Sequence, residues 1–99
     1  MIAQKLLTHY GDDPQRWTKG IAARDKDGER CLPTSKEAVC WCLLGALETL
    51  GLSPEEQRMF TSGWDSRIAI AQWNDHEKRT FKEVKKRLEE MVKLADVAE

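Results

Sequence analysis

Trp73-Asn74-Asp75, followed by Arg79-Thr80, places an aromatic plane, an amide, a carboxylate and a guanidinium close together in the chain. Those four types suit recognition: an indole face stacks, an amide both donates and accepts, and a guanidinium pairs with an anion. Trp73, Asn74, Asp75 and Arg79 are therefore the candidate binding residues. The same types also suit a helix–helix connection, in which Asn or Asp bonds backbone, Asp75 meets Arg79 and Thr80 caps the next helix. The local account weighs more, because turn residues do such work by their chemistry alone. Adding His76 and a nearby cysteine gives an alternative, a small-molecule or enzymatic site at the 73–79 turn, with a concave surface and a titrating His76.

Cys31, Cys40, Cys42, His9 and His76 are the soft metal-ligand candidates. Structural zinc sites show two close ligand pairs, and these spacings do not supply them, so no metal is expected. A Cys–His nucleophile pair oriented by Asp75 is formally available, but an apolar setting raises a thiol's pKa and dulls it. There is no Gly-x-Ser-x-Gly elbow, phosphate-cradling glycine loop or His-Glu-x-x-His. Glu55-Glu56 and Glu89-Glu90 are adjacent pairs splayed on a helix, so neither forms an acid/base dyad. The residues point to no catalytic set and no cofactor, and they lean against an enzyme.

The elements that must position these side chains are marked by punctuation. Ala38–Leu47 contains no charged side chain in a chain that is 33% charged. Preceded by a Thr34-x-x-Glu37 capping box and closed by Leu50-Gly51, it predicts a buried central helix over about 36–50. Gly45 inside it costs about 1 kcal/mol relative to alanine, which predicts another backbone crossing closely there. On such a helix Cys40 and Cys42 would point about 200° apart and could not pair.

Ile2, Leu6, Leu7 and Tyr10 predict a first helix over 2–10, ended by Gly11. Asp13-Pro14 predicts a helical turn. Asp27-Gly28, between 20–25 and 29–33, predicts a small β-hairpin at about 20–33 that must lie against the helices. Ser53-Pro54-Glu55-Glu56 starts a further helix that Ser62-Gly63 breaks. Trp64, Ile68 and Ala71 share one side of another helix running to Trp73, with 74–76 as a turn. Thr80-x-x-Glu83 caps a last helix over about 81–97, on which Phe81, Val84, Leu88, Met91 and Ala95 form the apolar stripe. The expected fold is mainly α (α+β): four to five helices around the central one, with the small hairpin, in a single domain of residues 1–99.

Sixteen basic and seventeen acidic side chains give a net charge of −1. Nucleic-acid binders show a basic excess, so that class is disfavoured. Lys85-Lys86-Arg87 reads as a solvated helix face, with Glu83–Arg87 and Glu89–Lys93 as i, i+4 pairs. The start lacks a signal-peptide pattern and no segment is long enough to span a bilayer, so a cytoplasmic protein with no membrane partner is expected. Three free thiols follow, Cys40 and Cys42 buried and Cys31 more exposed.

Trp17-x-x-Gly20, Ala23-Arg-Asp-x-x-Gly28, Pro33, Ala38-x-x-Trp41-Cys42-x-x-Gly45-Ala46 and Trp73-Asn74-Asp75 with Arg79-Thr80 and Val84 form an ordered series. It resembles a family of small bacterial and phage proteins classed as a domain of unknown function, over about residues 4–95. The resemblance implies a cytosolic, phage or bacterial domain and supplies no activity. The expected function is a non-catalytic protein–protein interaction module, in one form a phage or prophage accessory protein acting on a host protein. Its expected partner is another protein, with a homodimer left open.

Overall fold

The computed structural model describes residues 2–98 except Gly63 and Asp65, with backbone only for 95–98. Five helices, α1 (Ile2–Tyr10), α2 (Leu43–Thr49), α3 (Pro54–Thr61), α4 (Arg67–Asp75) and α5 (Phe81–Ala98), accompany a two-stranded antiparallel sheet of β1 (Ala23–Arg24) and β2 (Cys40–Trp41). This is the α+β architecture that the patterning predicts.

The caps fall where side chains can satisfy the free N–H groups of each first turn. Asp13 caps a single 3-10 turn at Pro14–Arg16. Ser53 and Glu56 form a reciprocal capping box for α3, and Ser62 follows its last turn. Thr80 and Glu83 exchange the same pair of bonds at α5, at 3.3 and 3.1 Å.

The central helix is shorter than the 36–50 expected. It begins at Leu43, and Cys40–Trp41 is a strand paired with β1. The anticipated Thr34–Glu37 box is replaced by a local turn in which Glu37 N–H donates to Ser35 Oγ at 3.1 Å. A short apolar run reads equally as strand or helix, and Val39-Cys40-Trp41 is rich in strand formers. The sulfur of Cys42 then serves as cap, accepting from Gly45 N–H at 3.3 Å.

The hairpin turn is present at 25–29, closed by Asp25 N–H donating to Glu29 C=O at 2.9 Å. Its arms meet through a single Arg24–Arg30 bridge, and the paired partner of β1 is β2 from beyond residue 33. The α4 prediction is also shifted. Ser66 caps that helix, so Trp64 precedes it, Ile68 is exposed, and Ile70 and Asn74 face inward.

Leu43, Ala46 and Leu47 of α2 are fully buried against Leu6, Tyr10, Ile70, Val84 and Leu88. Each large aliphatic side chain hidden this way contributes about 1.5–3 kcal/mol. Helix α1 lies along α5: the Tyr10 and Phe81 rings meet edge-on at 5.5 Å, and Lys85 Nζ pairs with Asp12 at 2.6 Å. Asp12 holds a left-handed φ of 61°, which aspartate tolerates better than most residues.

All three thiols are free, as expected, but only Cys42 is buried; Cys31 and Cys40 are half-buried. Burial, the largest influence, pushes the Cys42 thiol above its usual pKa. Under native conditions a maleimide should therefore label Cys31 and Cys40, with Cys42 reacting only at the rate of unfolding. Mass spectrometry of the labelled peptides checks this, and native labelling of Cys42 as fast as Cys40 would contradict the packing.

Candidate functional site

Trp73, Asn74 and Asp75 occupy the last turn of α4, with His76 as its C-cap and Arg79 on the short connection to α5. The chain bends there because Thr80 caps α5 immediately downstream. The candidate residues are thus brought together in space, on a helix end rather than on a turn of their own.

Asn74 has no exposed surface. Its Oδ1 accepts from Trp17 Nε1–H at 2.7 Å and from the buried Leu43 N–H at 3.2 Å. Its Nδ2 donates to Thr18 C=O at 3.2 Å and to Asp75 Oδ1 at 2.9 Å. An amide offers two donors and two acceptor lone pairs, and all are in use. One side chain thereby ties the end of α4 to the 17–18 segment and to the start of α2.

Asp75 is exposed, yet the same Oδ1 also accepts from Gly20 N–H at 2.9 Å. It does not meet Arg79, the partner that the spacing suggested. Arg79 instead donates from Nε to Trp73 C=O at 2.7 Å, stacks over the Trp73 ring at 3.9 Å and pairs with Glu83 at 3.1 Å. The Thr80 N–H, followed by Arg79, holds the Glu83 carboxyl below the usual glutamate range. His76 is exposed, and its Nδ1 accepts from Lys78 N–H at 3.2 Å.

Lys19 completes the arrangement. Its ammonium donates to three main-chain carbonyls, those of His76 at 3.0 Å, Glu77 at 2.9 Å and Arg79 at 3.3 Å. A cation at the carbonyl end of α4 satisfies groups that the helix leaves open.

The cluster is consequently a clasp. Trp17, Thr18, Lys19 and Gly20 on one segment engage residues 73–79 on the other, and Arg24 braces the first by bonding Thr18 Oγ1 at 3.1 Å. The sequence showed both halves, as Trp17-x-x-Gly20 and Trp73-Asn74-Asp75, without showing that they meet. Lys19 and Leu43 carried no signal, since one acts by its position at a helix end and the other through its backbone.

A model of a family of unknown function, DUF6197, matches residues 9–93 of this chain. No curated protein and no solved structure matches it.

Proposed function

The chain belongs to DUF6197, a family of unknown function, and from that premise we propose that it is a non-catalytic protein-binding module. The carrying observation is the inward commitment of its most chemically capable cluster. Asn74 is wholly buried with its hydrogen-bonding capacity filled, and Asp75, Lys19 and Arg79 spend theirs on the backbone or on neighbours. These residues build a scaffold, which leaves the surface for recognition. Leu32, Met59, Ile68 and Leu94 stand exposed on that surface as large apolar side chains. No helix among the described residues is long and apolar enough to cross a membrane.

The test is capture from bacterial lysate with tagged protein under gentle conditions, read by mass spectrometry for stoichiometry. One protein retained in near-equal amount, and competed off by untagged chain, is the expected result. Retention of no stoichiometric protein, together with saturable binding of a small metabolite at the 73–79 turn, would overturn the reading.

A further inference from the structure

Arg87 of α5 buries its Nε with no hydrogen-bond partner among the described residues. Its neighbour one turn back, Glu83, is the partner that i, i+4 spacing suggests. Both oxygens of Glu83 are already taken. Oε1 accepts from Thr80 N–H at 3.1 Å and from its hydroxyl at 3.3 Å, and Oε2 pairs with Arg79 at 3.1 Å.

Among the described residues no hydrogen bond or ion pair reaches Arg87, although its Nε is buried. Arg16 and Arg79, by contrast, each give Nε to a main-chain carbonyl at 2.9 and 2.7 Å. The Arg87 guanidinium lies over the Trp64 ring at 4.7 Å. Trp64 is only 6% exposed, and its Nε1–H also lacks a partner. Two neighbouring side chains thus bury donors that find no acceptor among the described residues, an arrangement that is costly and uncommon in folded chains. His9 Nε2 is a further unpartnered buried atom. The His9 ring packs edge-on against Tyr10 and Trp41, and burial followed by Arg16 keeps its pKa below the usual histidine value.

Arg87 also lines an open cavity of about 220 Å³ with Glu90, Met91 and Leu94, the last 69% exposed. Positions 87, 90, 91 and 94 share one helix face. We propose that this face of α5 receives an Asp or Glu side chain of a partner protein, with an adjoining aliphatic side chain seated on Met91 and Leu94. The proposal rests on the protein-binding reading and names its site and partner chemistry. Arg87 supplies charge and a planar fork, the Trp64 ring beneath holds that fork in place, and desolvation strengthens the pairing. Glu90 stands exposed at the rim and opposes a second acid, so the partner carries one carboxylate flanked by apolar residues.

The test is titration of the full chain with the capped peptide acetyl-Leu-Asp-Leu-Leu-amide, its Asn twin and sodium acetate, followed by tryptophan fluorescence and calorimetry. The Asp peptide should saturate at least tenfold tighter than the Asn twin, weaken as salt rises, and bind tenfold more weakly to Arg87→Met. That variant keeps an unbranched stem on Trp64, and its thermal midpoint reports that it still folds. Arg87→Lys should bind more weakly too, since the fork is lost, and Glu90→Gln should bind more tightly.

Equal affinity for the Asp and Asn peptides, an unaffected Arg87→Met, or no binding at millimolar peptide would overturn the proposal. Acetate saturating as tightly as the peptide would do the same. Any of these results leaves the lysate capture, which tests the wider reading, to be judged on its own outcome.

Discussion

Gly45→Ala should lower stability by about 3 kcal/mol or more, although on an ordinary helix the same change stabilises by about 1 kcal/mol. A Cβ built at Gly45 collides with the carbonyl oxygen of Ala22 and comes within 2.9 Å of its carbon and 3.3 Å of its Cα. All three are backbone atoms, so no rotamer change relieves the overlap. The obstructing carbonyl is itself held, because it accepts from Cys42 N–H at 3.1 Å one residue before β1 pairs with β2. Either α2 moves off the strand segment or the sheet gives way. For a domain near this size the expected loss is on the order of 12 °C or more in thermal midpoint. A Gly45→Ala protein melting at or above the parent temperature would refute the crossing.

Asn74→Ala should cost a similar amount, about 4 kcal/mol. Truncation orphans the buried Leu43 N–H, the Trp17 indole N–H and the Thr18 carbonyl together. Each unmet buried group costs about 1–3 kcal/mol, partly relieved by water wherever the site opens. Asn74→Asp separates bonding from shape. It keeps the acceptor for Trp17 and Leu43 but replaces the donor that faces Asp75 Oδ1 at 2.9 Å with a second acid. That variant should unfold at least as readily at pH 7, and recover as the pH falls and one carboxyl of the pair takes up a proton. Urea midpoints at pH 7 and pH 5 decide the point: an Asn74→Asp protein with the same midpoint at both would contradict the clasp.

The readability of this fold in its sequence follows from how local each signal is. Helices α1, α3 and α5 are legible because their caps and stripes lie within a few residues: Ser53 with Glu56, Thr80 with Glu83, and Val84 with Leu88. The Gly45 crossing is legible too, since a glycine inside an apolar helix needs a reason and a passing backbone is a common one. The start of α2 is not. Whether Cys40–Trp41 becomes helix or strand is settled by β1, which lies sixteen or more residues earlier in the chain. The candidate cluster is half legible. Its residue types show polar work at 73–79, but the partners at 17–20 lie more than fifty residues away. Spacing likewise pairs Glu83 with Arg87, whereas in the structure Glu83 pairs with Arg79 while its other oxygen accepts from Thr80 N–H.

The packing of α1 along α5 bears on how the chain is made. Helix α1 is made well before α5, yet its apolar face, Leu6 and Tyr10, is covered in part by Phe81 and its neighbours on α5. At about 5–20 residues per second, α1 waits roughly 4–15 s with that face open to water. A helix of 9 residues is marginal in isolation, so over that interval it flickers rather than persists. Packing of α1 is therefore a late event, reached when α5 has been made and folds back onto it. Shortening α5 from its far end should penalise yield in the cell before it penalises the melting of whatever protein survives.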